Sequence, residues 1–161
     1  MQFHAEHRFA APADEVMALL VDPAFHRQLQ LPDLQLLEVD SVTEDHRSHL
    51  SLRYDFVGQL DPVAQRLLGG RRLTWLQELR LDRTTGTGRL SFRADAAPQQ
   101  LHGAAEVVVQ PSEDGAVRRV EGKLVVAVPL IGGKAERRIV PGLLRRLDIE
   151  AHALDDRLRS A

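Results

Sequence analysis

The sequence predicts an α+β fold in which a seven-stranded antiparallel sheet packs against one long C-terminal helix. Three observations predict it. First, apolar residues fall at Ile131, Ala135, Ile139, Leu143, Leu147, Ala151, Leu154 and Leu158, so one amphipathic helix spans Gly132 to Arg159. Second, six segments ahead of that helix alternate apolar and polar residues and are joined mostly by short turns, the pattern of an antiparallel meander. Third, one more alternating segment opens the chain and is followed by two short helix signals. A sheet with one apolar face and a helix with one apolar stripe must each bury that surface, and each is the obvious partner of the other.

The elements follow in order. Gln2 to Phe9 reads as a half-buried strand, with Phe3, Ala5, His7 and Phe9 on one face. Pro12 suits a first helical position, and Asp14 and Glu15 complement the helix dipole in the first turn. Val16, Leu19 and Leu20 give that short helix its apolar face. Asp22-Pro23 restarts the pattern as a cap and opening residue of a second short helix that ends before Pro32. Strands are then expected at Leu36–Thr43, His49–Val57, Leu73–Asp82, Arg89–Ala97, Leu101–Gln110 and Val117–Val128. Thr85-Gly86-Thr87-Gly88 and Pro111–Gly115 read as turns.

Between the third and fourth strands, Asp61-Pro62-Val63-Ala64-Gln65-Arg66-Leu67-Leu68-Gly69-Gly70 reads as a short capped helix. Placed there, it can cover a cavity mouth, with Gly69-Gly70 as a hinge, or simply bury Val63 and Leu67 as a surface connection. Within the long helix, Pro141 cannot donate to the Arg137 carbonyl, and Gly142 costs roughly 1 kcal/mol relative to Ala. The apolar register runs through that point unshifted, which predicts a kinked helix, or a short helix followed by a long one starting at Pro141.

Composition bounds the function. With 161 residues, 43% hydrophobic and 27% charged, the chain fits one globular domain over residues 1–161. No apolar run approaches the roughly 18 residues of a membrane span, and the N-terminus lacks a signal-peptide pattern, so a cytoplasmic protein that is not integral to a membrane is expected. The absence of cysteine removes disulfides, thiolate metal sites and cysteine nucleophiles. A net charge of -2 and 4% aromatic content argue against a nucleic-acid partner. No nucleophile elbow, phosphate-binding loop or dinucleotide fingerprint is present. Of the seven histidines, His46 and His49 are three apart, but on a strand that spacing sends them to opposite faces, and no metal site is expected. The arginine pairs Arg71-Arg72, Arg118-Arg119, Arg137-Arg138 and Arg145-Arg146 are expected to be mostly solvated.

The element order resembles the START-like, or helix-grip, superfamily, which includes Bet v 1-type pollen allergens and bacterial polyketide cyclases. Ala11-Pro12-Ala13-Asp14-Glu15-Val16 and Leu20-Val21-Asp22-Pro23-Ala24-Phe25 resemble its first strand-to-helix segment. Val128-Pro129-Leu130-Ile131-Gly132-Gly133-Lys134 resembles the approach to the last helix in an uncharacterised bacterial branch. The resemblance implies a curved sheet gripping the long helix and a cavity between them for a hydrophobic small molecule, lipid-like or polyketide-like. It supplies no family-wide catalytic residue and no cofactor, so none is assigned.

The expected cavity lining is Phe3, His7, Tyr54, Phe56, Trp75, Gln77, Phe92, Leu124, Ile139, Leu143 and Leu147, with His7, Tyr54 and Gln77 as hydrogen-bonding groups in an apolar wall. Three functions fit that expectation. One is a binding protein or carrier for a hydrophobic molecule. Another is a cyclase- or aromatase-type enzyme using His7 or Tyr54 as acid or base. The third is a non-catalytic interaction module with a filled core.

Overall fold

The computed structural model describes residues 1–160; Ala161 lies outside the described residues. Strand β1 (Gln2–Phe9) leads through two short helices, α1 (Ala13–Leu20) and α2 (Pro23–Gln28), into the hairpin of β2 (Leu34–Glu44) and β3 (Arg47–Phe56). Helix α3 (Pro62–Leu68) then precedes β4 (Thr74–Asp82), β5 (Thr87–Ala94), β6 (Leu101–Ser112) and β7 (Gly115–Val126), and α4 (Gly132–Arg159) ends the chain. The seven strands form one antiparallel sheet in the order β1-β7-β6-β5-β4-β3-β2. The meander runs from β2 to β7, and β1 closes beside β7 with Phe3 opposite Gly122 and Phe9 opposite Ala116.

Local chemistry explains the boundaries. The Asp22 carboxylate accepts from the Ala24 N–H at 2.9 Å at the start of α2, and Asp61 accepts from the Val63 N–H at 2.8 Å at the start of α3. Gly69 takes the left-handed conformation (φ 59°) that ends α3. Pro12 is the cap of α1 rather than its first helical residue, because its extended ψ of 154° stands outside the helix. Asp82 accepts from the Thr84 and Thr85 N–H groups and tightens the β4–β5 turn, so β5 starts two residues earlier than alternation suggested and ends at Ala94. The third and seventh strands likewise begin two residues early, and β2 gains two residues ahead of its expected start.

Helix α4 is continuous through Pro141, so the expectation of two separate helices is not met. It packs on β1, β7 and α1. Its apolar stripe changes character along its length. Leu147, Ala151 and Leu154 are 3%, 6% and 0% exposed, whereas Ile139, on the same stripe, is 37% exposed. The C-terminal half of the helix therefore lies on a filled core of Phe9, Val16, Leu20, Leu50, Leu79, Leu90, Val107 and Val120. The N-terminal half overhangs a space that the core does not fill. No helix among the described residues is long and apolar enough to cross a membrane.

Candidate functional site: a cavity under the N-terminal half of the long helix

The space beneath α4 is a cavity of about 440 Å³, within the usual size range of small-molecule sites. Four elements wall it. Helix α4 contributes Ala135, Ile139, Gly142 and Leu143; the sheet contributes Phe56, Trp75, Phe92, Leu101, Leu124 and Val126. Helix α3 contributes Val63, Ala64, Leu67 and Leu68, and the segment before β2 contributes Leu31 and Pro32. Sheet residues two apart share a face, which is why Leu124 and Val126 of β7 both reach it. Gly103 of β6 sits opposite Phe92 in the β5–β6 ladder, and a methyl group at Gly103 would collide with the Phe92 ring. Glycine there makes room for the aromatic wall.

At the mouth, Arg138 of α4 donates to the Asp61 carboxylate, the same group that caps α3. One aspartate thus shapes the start of α3 and ties it to α4. Toward the other end of the helical wall, one turn before Ile149, stands Arg146, 9% exposed, whose guanidinium donates to the Gln77 side-chain oxygen and lies 4.9 Å from the centre of the Tyr54 ring. Asp33, Gln59, Arg93, His102 and Arg145 complete the polar lining.

Six of the eleven expected lining residues stand on this wall: Phe56, Trp75, Phe92, Leu124, Ile139 and Leu143. Five do not. Phe3 packs in the core with its ring 6.3 Å from that of Phe92. Tyr54 is buried beneath Arg146, its ring 5.7 Å from Trp75, and burial pushes its hydroxyl pKa up. Gln77 and Leu147 line a separate void of about 20 Å³ together with His26, Arg118 and Glu150. His7 is engaged at both ring nitrogens: Nε2 lies 2.8 Å from the Asp148 carboxylate, and Nδ1 lies 3.2 Å from an Arg118 nitrogen. Burial, then the Arg118 charge, lower the His7 pKa against the opposing pull of Asp148.

The arginine pairs correct the expectation of solvation. In Arg118-Arg119 and Arg145-Arg146, one member is buried: Arg118 is 2% exposed and Arg146 is 9% exposed. Arg118 pairs with Glu150 and donates to the Leu147 carbonyl at 3.2 Å. Burial raises the Glu150 pKa, but the Arg118 charge, with His26 and Arg146 behind it, more than offsets that and holds the carboxyl below its ordinary range. The alternation Ala116, Arg118, Val120 carried the signal, since it places Arg118 on the inward face of β7. His46 and His49 pair separately, with Asp82 at 3.5 Å and Glu78 at 2.7 Å. Among the described residues no cluster of three or more histidine or acidic side chains could hold a metal ion.

A seven-stranded antiparallel sheet around a long C-terminal helix, with short helices after the first strand, is the helix-grip, Bet v 1-like fold. Known structures agree on the fold. The protein TTHA0849 from Thermus thermophilus superposes with a TM-score of 0.67 at 18% identity, covering 99% of this chain and 98% of that one. Ara h 8.0201 gives 0.64 at 11% identity, covering 100% and 99%. The Zhui aromatase/cyclase from Streptomyces sp. R1128 gives 0.58 at 18% identity, covering 98% and 93%. No curated protein sequence matches the chain. Residues 4–158 match the family described as protein of unknown function DUF2505, and the chain belongs to that family.

Proposed function

We propose that the protein binds and carries a hydrophobic small molecule, lipid-like or polyketide-like, in the cavity between the sheet and the N-terminal half of α4. The observation that carries this reading is the split in the α4 stripe: the same apolar face that is sealed at Leu147, Ala151 and Leu154 is left open at Ile139 over about 440 Å³ of apolar-walled space. Burying apolar ligand surface there contributes about 25 cal/mol per Å². Phe56, Trp75, Phe92, Leu124, Ile139 and Leu143 form the binding wall in this reading, and α3 covers the mouth. The carrier acts in the cytoplasm as one domain over residues 1–161, without a nucleic-acid partner.

A cyclase-type reaction needs two polar groups converging on one reacting atom. His7 and Tyr54, the acid and base candidates, both lie outside the cavity wall, so the geometry favours carriage over chemistry. Native mass spectrometry of freshly purified protein, followed by organic extraction, tests the proposal. A co-purified apolar mass released by the solvent is expected. Protein free of any adduct that also fails to take up added decan-1-ol would overturn it.

A further inference from the structure

Arg146 is the buried cation of the cavity wall. It is 9% exposed, yet no carboxylate among the described residues pairs with it; its partners are the neutral Gln77 oxygen and the Tyr54 ring face. Glu150, one turn further along α4, is held by Arg118. A guanidinium carries five N–H donors in a planar fork that matches a carboxylate, and Gln77 accounts for one bond. A buried charge without a counter-ion is costly. All six other buried polar or charged side chains have a hydrogen-bonding partner, and the three ionic ones among them, Asp55, Arg118 and Glu150, each have an opposite charge: Asp55 on Arg72, and Arg118 and Glu150 on each other.

The surroundings carry the same sign. The cavity lining holds four arginines (Arg93, Arg138, Arg145 and Arg146) against two aspartates (Asp33 and Asp61), in a chain whose net charge is -2. Asp61 is already bound by Arg138. Along α4 the wall runs from Ala135 to Ile149, roughly 21 Å at about 1.5 Å per residue, with Arg146 one turn short of its far end. Arg146 stands where the cavity gives way to the filled core, since its partner Gln77 lines the small void beyond.

We infer that the ligand is an apolar molecule with a carboxylate head, seated with the carboxylate on the free N–H groups of Arg146 and its apolar body extending past Leu143 and Ile139 toward the mouth. This rests on the proposed binding of a hydrophobic molecule in the same cavity and specifies its chemical class.

Trp75 is the only tryptophan and lines the cavity, so its fluorescence reports occupancy. The test titrates the protein with sodium decanoate and, separately, with decan-1-ol at neutral pH. The two probes share the apolar chain length and differ in the head. A cavity without an available cation favours the alcohol, because an unpaired carboxylate resists burial. Decanoate is expected to bind about tenfold or more tighter than decan-1-ol, a charge-assisted gain of ordinary size. Arg146→Gln is expected to abolish that preference while leaving decan-1-ol affinity within about threefold, and Arg146→Lys to keep part of it, because a point charge replaces the fork. Equal or weaker binding of decanoate by the wild-type protein would overturn the inference while leaving the hydrophobic-carrier reading intact. So would a preference that survives in a folded Arg146→Gln protein. Failure of both probes would overturn both. The wild-type comparison decides the matter even if the variants do not fold.

Discussion

Arg118 of β7 and Glu150 of α4 form an ion pair at the crossing of helix and sheet, with side chains 2% and 7% exposed. The pair joins segments 32 residues apart and draws His7 and the Leu147 carbonyl into one polar knot. It lies where α4 crosses onto the filled core that buries Leu147, Ala151 and Leu154, whereas Ala135, Ile139, Gly142 and Leu143, nearer the start of the helix, line the cavity. Removing one partner leaves the other charge buried alone. Glu150→Gln or Arg118→Met is expected to cost about 3–5 kcal/mol. Replacing both with apolar residues, Arg118→Met with Glu150→Leu, is expected to recover most of that loss. Denaturant midpoints at neutral pH measure it. Single variants that lose less than about 1 kcal/mol would show that the pair is not buried in solution.

Gly142 faces open space: apart from its neighbours and the backbone of its own helix, a methyl group added there meets no atom within 4 Å. Gly142→Ala is therefore expected to stabilise the protein by about 0.5–1 kcal/mol through helix propensity, with no clash. Thermal or denaturant unfolding reads this directly. A destabilised variant would mean that the α4 backbone needs glycine's freedom next to Pro141.

The Arg138–Asp61 contact ties α4 to α3 at the mouth, and its side chains are 53% and 32% exposed. An exposed pair of this kind contributes about 0–1 kcal/mol. Arg138→Ala is expected to leave stability almost unchanged while raising the ligand off-rate several-fold, measured by stopped-flow Trp75 fluorescence. An unchanged off-rate would remove α3 from any gating role.

The His7 pKa is lowered on folding, so the native state resists the proton that the unfolded chain accepts. Stability is then unaffected by His7 well above pH 6.5, and it falls as pH drops from about 6.5 toward the native-state pKa. Arg118 faces the ring with like charge, while Asp148 and Glu150 moderate the effect. Glu150 adds a separate loss at lower pH: its depressed pKa contributes stability above the ordinary carboxylate range and forfeits it as pH falls through the native value. His7→Gln is expected to flatten the pH dependence just below about 6.5 while keeping the acid limb in the carboxylate range. An unaltered slope in that window would place the responsible proton elsewhere.

The fold was legible because periodicity is a one-dimensional signal. Alternation in Leu50, Leu52 and Tyr54 and helical spacing from Ile131 to Leu158 each name an element and its buried face. The site was legible by half, for a specific reason. Tyr54 and Phe56 are two apart on one strand face, yet Phe56 lines the cavity and Tyr54 packs beneath Arg146. Sequence states which face a residue takes, not how far along the strand the helix stops filling the space. The buried arginines were hidden by their neighbours. Arg118 and Arg146 each sit in a charged doublet, and only the strand and helix periods single out the inward member.

Uptake of a hydrophobic molecule under the N-terminal half of α4 is decided by calorimetric titration of decan-1-ol into the wild-type protein and into a folded Ile139→Phe/Leu143→Phe variant. Both substitutions enlarge side chains of the cavity wall. Saturable one-site binding by the wild-type protein, weakened at least about tenfold by the filled wall, is the expected outcome. No binding by the wild-type protein, or equal binding by the two, would contradict it.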